Sequence, residues 1–261
     1  MLLEHKNAVI YGAAGSVGSA TARAFAREGA RVFLAGRTLA TLDALAHEIT
    51  QAGGQAETAQ VDALDADAVE KHLEAMVKKT GSVDISYNLI GLDGPQGTPL
   101  TDMPRDHFTR PVINAMNSHF ITATAAGRHM MRQKSGVILA LAAQAARKPY
   151  ETAGGFGVAC AAIEALCRQL AAELGPHGVR VISLRSSGSP DTPGVREAMK
   201  LHAQNAGVTL EAWQSQMAES TLLKRLPLLA EVANVAVLMA SDYASIMTAS
   251  VANVTCGELV D

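Results

Sequence analysis

The sequence contains few cysteines, and their spacing suggests no shared site. Cys160, Cys167 and Cys256 are its three cysteines, and no two of them form a CxxC pair. A zinc site or a disulfide framework usually shows a denser, regular cysteine pattern. We therefore expect no metal centre, and a protein that works in a reducing compartment.

Long apolar runs and runs of basic residues are also absent. No uninterrupted apolar stretch approaches the roughly 20 residues that span a bilayer, and the chain turns polar directly after Leu3 rather than continuing as a signal peptide. The net charge is −3, without a basic run for nucleic acid or an anionic membrane to bind. We expect a cytoplasmic protein that binds a small-molecule substrate and neither nucleic acid nor membrane.

Strand and helix signals alternate along the 261 residues. Predicted strands cover residues 8–11, 31–35, 55–61, 83–90, 137–142, 179–184 and 250–254. Predicted helices cover residues 19–28, 39–52, 66–80, 106–133, 152–174 and 231–240. This alternation predicts an α/β fold with a single Rossmann-type, doubly wound parallel β-sheet and helices on both faces. Without a linker or repeat, residues 1–261 are predicted to form one domain, with residues 190–228 as an excursion that covers the substrate.

A glycine-rich loop follows the first predicted strand and precedes the first helix. It contains the residues Gly12, Ala13, Ala14, Gly15, Ser16, Val17 and Gly18. Glycines let a backbone approach a pyrophosphate closely, and a helix N-terminus favours its negative charge. The loop therefore predicts a dinucleotide site, and the alternative is a plain turn between strand and helix.

The end of the second strand indicates which dinucleotide binds. An acidic residue commonly holds the adenosine ribose at this point, but here Gly36 is followed by Arg37. Glycine removes repulsion against a 2′-phosphate and arginine supplies donors for it, so we predict NADP(H). Asp62, which precedes Ala63, is placed to accept a hydrogen bond from the adenine amino group. The alternatives are a solvated surface arginine and, for Asp62, the N-cap of the next helix.

Several further segments, in order, resemble those of the short-chain dehydrogenase/reductase family over essentially the whole chain. Residues 84–91 resemble its fourth strand and keep Asn88 and Gly91, and residues 170–181 resemble its helix-to-strand junction. Residues 191–193, which include Thr192, resemble the segment that caps the nicotinamide. The resemblance implies cofactor contacts at Ala63, Asn88, Gly91 and Thr192, and a homodimer or homotetramer.

The resemblance fails at the catalytic positions. The family uses a serine, a tyrosine thirteen residues later, a lysine four residues beyond it, and an asparagine from the preceding helix. The alignment places Ala143, Phe156 and Cys160 at the first three positions, and Ala115 near the fourth. General acid–base catalysis typically contributes about 10²–10⁴-fold, so ordinary carbonyl or alcohol chemistry is not expected.

Other side chains are candidates for the missing acid. Tyr150 lies in the loop after the fifth strand, where Arg147 or Lys148 would lower its pKa, and Glu151 and His119 are further candidates. The alternatives are a surface tyrosine and a helix histidine with satisfied hydrogen bonds. Cys160 is interpreted as an apolar filler.

Two further residues have open roles. Arg185, at the end of the sixth strand, has two equal interpretations, an anion-binding residue and a member of a structural ion pair. Trp213 is expected in a lid over the site.

Three functions agree with this sequence. The first is an NADP(H)-binding oxidoreductase with a non-standard active site that reduces an activated C=C or C=N bond, since such reduction asks less of an acid than carbonyl reduction does. The second is a non-redox isomerase, cyclase or lyase on the same scaffold. The third is a catalytically silent nucleotide-binding subunit.

Overall fold

The computed structural model describes residues 1–92 and 94–260, which form seven parallel strands and eight α-helices. The strands are β1 (Asn7–Tyr11), β2 (Arg31–Gly36), β3 (Gln55–Gln60), β4 (Ile85–Asn88), β5 (Gly136–Ala143), β6 (Val179–Ser186) and β7 (Ser250–Val254). They form one sheet in the order β3-β2-β1-β4-β5-β6-β7.

Helices cover both faces of this sheet. They are α1 (Ser16–Arg27), α2 (Leu39–Gln51), α3 (Ala66–Thr80), α4 (Arg105–Gln133), α5 (Phe156–Leu174), α6 (Pro193–Asn205), α7 (Leu210–Glu219) and α8 (Leu229–Ala240). Alternate residues of β1 enter two different cores: Ile10 packs with Phe25 of α1, and Val9 packs with Ile163 of α5. The predicted fold, one doubly wound parallel sheet between two helical layers, is confirmed.

Four helices begin at residues other than those predicted, and the differences are largest for α1 and α5. Helix α1 begins at Ser16 instead of residue 19, so its first turn belongs to the glycine loop, with Gly15 as its N-cap. Helix α5 begins at Phe156 instead of residue 152. Thr152 and Gly154 have φ angles of 58° and 60°, and this left-handed conformation cannot continue a right-handed helix.

Strands β5 and β6 extend farther than predicted, and this extension builds the site. They pair up to Ala143 and Ser186, whose Cα atoms are partners in the last position of the ladder. Ligands of open parallel sheets bind at the carboxyl ends of the strands, near the point where strand order reverses. Helices α6 and α7, within the predicted excursion 190–228, lie between β6 and α8 in the chain.

Within the residues that the structure describes, no helix combines the length and the apolar character needed to cross a membrane. Nor do His, Cys, Asp and Glu side chains of these residues gather in groups that suit a metal ion.

Candidate active site

The glycine loop has the close packing that a dinucleotide requires. Gly12 has a φ of 73°, and a Cβ there would lie 2.6 Å from the carbonyl oxygen of Leu89. A Cβ on Gly18 would collide with the carbonyl oxygen of Gly12, so the helix packs directly on the loop. Ala14 and Gly15 remain exposed at the N-terminus of α1. This exposed backbone fits a pyrophosphate.

The remaining loop residues, Ser16 and Val17, form the first turn of α1 and are half-buried. Val17 also lines a cavity of about 470 Å³, named here the main cavity. The loop that suits a dinucleotide is therefore continuous with this cavity.

Arg37 and Asp62 lie at the ends of β2 and β3. Arg37 is exposed, and among residues 1–92 and 94–260 no hydrogen bond or ion pair engages its guanidinium. Asp62 is exposed and accepts a hydrogen bond from the backbone N–H of Leu64 at 3.0 Å. The N-cap of α3 is Asp65, which accepts from Ala68, so the alternative of Asp62 as that cap is wrong.

The other predicted cofactor residues have varied surroundings. Asn88 is buried; its amide donates to Thr122 at 3.0 Å, and its oxygen accepts from the Ile90 backbone at 2.9 Å. Ala63 is buried, whereas Gly91 is exposed. Asn88 therefore fixes the turn after β4, which passes beside Gly12.

Thr192 is the N-cap of α6 and borders the main cavity. Its hydroxyl is buried and has no hydrogen-bond partner within the described parts of the chain. A buried hydroxyl costs free energy when it lacks a partner, which suits a polar ligand group at this point.

The main cavity lies at the carboxyl ends of β5 and β6. The lid helices α6 and α7 close one side of it with Val195, Met199, His202, Trp213 and Met217. The position expected for Trp213 agrees with this arrangement. The opposite side is formed by the ends of β5 and β6 and by the segment after β7.

Ala143, Phe156 and Cys160, which the resemblance assigns to the family's serine, tyrosine and lysine positions, lie near one another at the end of β5 and the start of α5. Ala143 ends β5 and Phe156 begins α5, and both line the main cavity. Cys160 follows one turn later and is completely buried. Burial raises the pKa of its thiol to about 12, although a hydrogen bond from the Ala143 backbone lowers it. A thiol that stays protonated is a poor nucleophile, in agreement with its role as a filler.

Tyr150 also lines the main cavity, with its ring perpendicular to that of His202 at a centroid distance of 5.2 Å. Burial, with smaller contributions from Cys160 and Glu258, raises the pKa of Tyr150 to about 12. The expectation that Arg147 or Lys148 lowers this pKa is therefore wrong. The phenol is a hydrogen-bond donor at neutral pH.

Glu258 explains why Lys148 has no such effect. Its carboxylate accepts from Lys148 Nζ at 2.9 Å and from the Ser187 hydroxyl at 2.5 Å. All three residues line the main cavity, and the Glu258 side chain is 5% exposed. The sequence does not point to Glu258, because no local motif links it to residues so distant in the chain.

Glu151 and His119 do not line the main cavity. Glu151 is exposed. His119 is buried in α4, where its Nδ1 donates to the Ala115 carbonyl at 2.9 Å. Its ring borders a separate small cavity with Asn88 and Thr122. Burial lowers the pKa of His119 to about 4, so this imidazole is neutral at physiological pH.

Arg185 forms an ion pair inside the protein. Its Nε lies 2.7 Å from one Glu164 oxygen and its Nη2 lies 2.9 Å from the other. The two side chains are 3% and 6% exposed. Of its two interpretations, the ion pair is the one that the structure contains, and it ties β6 to α5.

Comparison with known proteins gives the family. Residues 12–258 match the family model described as Enoyl-(Acyl carrier protein) reductase. The "Uncharacterized oxidoreductase YxbG" of Bacillus subtilis is 30% identical over 94% of this chain and 88% of its own length. The chain belongs to the short-chain dehydrogenase/reductase family. It is thus an oxidoreductase of this family, whose fold implies a nicotinamide dinucleotide as cofactor.

A further relative and a solved structure are also similar to this chain. The "Short-chain reductase protein NovJ" of Streptomyces niveus is 31% identical over 96% of this chain and 92% of its own length. The crystal structure of an NAD⁺-bound xylitol dehydrogenase superposes with a TM-score of 0.92, at 24% identity, over 98% of this chain and all of the other. At this identity, the similarity to the xylitol dehydrogenase shows only that the two proteins share a fold.

Proposed function

We propose that this protein uses NADPH to reduce an activated C=C or C=N bond. The observation that carries the proposal is the lining of the main cavity at the three family positions. Ala143 and Phe156 line it and offer no hydroxyl, and Cys160, buried one turn after Phe156, offers no cation to it. Reduction of a carbonyl needs an acid beside the oxygen, whereas a conjugated C=C or a C=N bond asks less of one.

Arg37 and Gly36 support the choice of NADP(H). The guanidinium is exposed at the end of β2, free of protein partners in the described residues, beside a position that carries no carboxylate. Arginine binds phosphate through several charge-assisted hydrogen bonds. The pyrophosphate would be held by the glycine loop, through Gly12, Ala14, Gly15, Ser16, Val17 and Gly18. The remaining parts of the dinucleotide would be bordered by Asp62, Ala63, Asn88, Gly91 and Thr192.

The protein's own residues would orient the substrate and supply a proton where one is needed. When bound, the nicotinamide supplies a hydride. Tyr150 is proposed as the donor to the substrate, because its phenol lines the main cavity and stays protonated. The lid residues Trp213 and Met217 exclude water from the bond that is reduced. Because the raised pKa leaves little phenolate near pH 7, Tyr150 seldom acts as the base that alcohol oxidation needs, and this oxidation is disfavoured.

A substrate panel tests this proposal. The protein is incubated with NADPH, or with NADH, and with cyclic enones, cyclic imines and ketones, while absorbance of the reduced nicotinamide is followed. We expect oxidation of NADPH with enones or imines, and none above background with simple ketones. Tight binding of NADPH without oxidation by any compound would contradict the proposal and favour the catalytically silent subunit.

We also propose that the protein is a homodimer or homotetramer through α4 and α5. Ile113, Phe120 and Val158 on these helices are 53%, 56% and 47% exposed, and exposed apolar side chains on neighbouring helices suit an interface. Light scattering tests this proposal with the Phe120→Glu variant, which is expected to lower the measured mass. A monomeric unmodified protein would contradict it.

A further inference from the structure

Aromatic side chains are concentrated at the main cavity. They make up 4% of the chain, yet Tyr150, Phe156 and Trp213 all line this cavity. His202 contacts two of them: its ring is perpendicular to that of Tyr150 and stacked on that of Trp213 at a centroid distance of 6.1 Å. Aromatic faces attract cations through their negative π-electron density.

The two charged side chains at the main cavity differ in how deeply they are buried. Among the described residues that line it, Lys148 and Glu258 are the only charged side chains, 44% and 5% exposed respectively. A lysine with this exposure can turn its ammonium into solvent, whereas the Glu258 carboxylate is held by the Ser187 hydroxyl inside the cavity. A ligand that displaces Lys148 therefore meets a negative charge.

Apart from Lys148, the titratable side chains near Glu258 that are described below add no positive charge. Burial lowers the pKa of His202, so its imidazole is neutral near pH 7, and Nε2 lies 2.8 Å from the Gln96 side-chain oxygen. The Tyr150 phenol and the Cys160 thiol are neutral as well. An anionic ligand would thus meet the Glu258 carboxylate without a compensating buried cation.

We propose that the substrate is a cationic iminium compound, bound through Glu258 and the aromatic faces of Tyr150 and Trp213. This inference rests on the proposed NADPH-dependent reduction and selects the C=N class within it. Hydride adds to the iminium carbon and forms a C–H bond, while the electrons of the C=N π bond move to nitrogen. The products are a neutral amine and NADP⁺, without uptake of a proton.

This chemistry accounts for the residues at the three family positions. A substrate that carries its positive charge on nitrogen accepts hydride without an acid beside it. Ala143 and Phe156 then line, and Cys160 packs behind, a cavity whose chemistry needs neither a tyrosine proton nor a lysine. The loss of these groups and the presence of Glu258 have the same explanation, a cationic substrate.

Calorimetry on the protein with NADP⁺ tests the cation site separately from catalysis. The probes are N-methyl-3,4-dihydroisoquinolinium, a permanent cation, and 1-tetralone, a neutral ketone of similar size. We expect Glu258→Gln to weaken binding of the cation by about tenfold or more, as for a lost charged hydrogen bond, and to change tetralone binding less than about twofold. The matched variant Lys148→Gln is expected to tighten cation binding, because a competing positive charge is removed.

The opposite results overturn the inference. Equal losses for both probes in Glu258→Gln would make Glu258 structural, and weaker cation binding in Lys148→Gln would contradict a cation that displaces Lys148 from Glu258. Turnover separates this inference from the proposed function. A cation that binds through Glu258 but oxidises no NADPH, in a protein that reduces no enone or imine, contradicts the proposed function alone. Reduction of enones without selective cation binding contradicts the iminium substrate alone.

Discussion

The ammonium of Lys148 lies 2.9 Å from the carboxylate of Glu258, although 110 residues separate them in the chain. In this ion pair the carboxylate balances the positive charge of Lys148, the lysine closest in sequence to Tyr150. It leaves the phenol with a pKa raised by burial to about 12. The result is a cavity that holds a protonated phenol and a buried carboxylate.

Tyr150→Phe is expected to lower kcat for a neutral enone by about 10²-fold or more, as for loss of a general acid. Reduction of N-methyl-3,4-dihydroisoquinolinium is expected to change little, because it takes up no proton. The control is Tyr243→Phe, since Tyr243 is 82% exposed and lies outside the residues that line the main cavity. An equal loss on both substrates would make Tyr150 a structural residue.

The pH dependence of enone reduction follows from the direction of the Tyr150 shift. Because burial raises this pKa to about 12, the phenol keeps its proton as pH rises through about 10, where an ordinary tyrosine ionises. We expect kcat with saturating NADPH to show no decline from this group between about pH 7 and pH 10. A decline centred below about pH 9 that disappears in Tyr150→Phe would contradict the assignment.

Arg37→Asp is expected to raise the Kd of NADPH by roughly 100-fold, because charge-assisted hydrogen bonds to the 2′-phosphate are replaced by repulsion. The Kd of NADH should change by less than about threefold. Fluorescence titration measures both, with Arg105→Asp as the control for a lost surface charge; the Arg105 side chain is 90% exposed. Equal changes for the two dinucleotides would remove the case for NADP(H).

Gly18→Ala is expected to abolish tight dinucleotide binding, since the added Cβ would lie 2.8 Å from Ala13 Cα and closer still to the Gly12 carbonyl. Overpacking of this kind destabilises a protein by about 1–3 kcal/mol. Gly175→Ala is the control, because its Cβ meets no atom within 4 Å among the described residues. Unchanged NADPH titrations in Gly18→Ala would contradict the role of this loop.

Arg185→Met leaves the Glu164 carboxylate buried without the cation that it contacts at 2.7 Å. We expect a loss of about 3–5 kcal/mol in the free energy of unfolding. The double variant Glu164→Leu/Arg185→Met should recover much of it, since no charge then stays buried. The control is Arg23→Met, which breaks the surface ion pair with Glu48. In urea titrations this variant should lose less than about 1 kcal/mol of its free energy of unfolding. A similarly small loss in Arg185→Met would show that the buried ion pair is not needed for stability.

Local sequence patterns predict the fold and the glycine loop well. Alternating strands and helices give the topology, and Gly12 and Gly18 occupy the tight positions that their spacing indicates. The start of α5 was missed because Thr152 adopts a left-handed backbone, which no periodicity reveals.

The partners of the charged residues were missed for a different reason. Glu258 and Lys148, like Glu164 and Arg185, are paired by the tertiary fold across long stretches of chain. Charge and burial at such sites depend on which elements meet. The sequence therefore provides Tyr150 as a candidate but not the environment that sets its pKa.

Transfer of deuterium tests the central claim most directly. NADPH deuterated at both C4 positions is incubated with the protein and N-methyl-3,4-dihydroisoquinolinium, and the amine product is examined by NMR. The account predicts one deuterium on the former iminium carbon, in an amount equal to the NADPH oxidised, with a rate that Glu258→Gln lowers. Product without deuterium, or no product while NADPH remains bound, would contradict it.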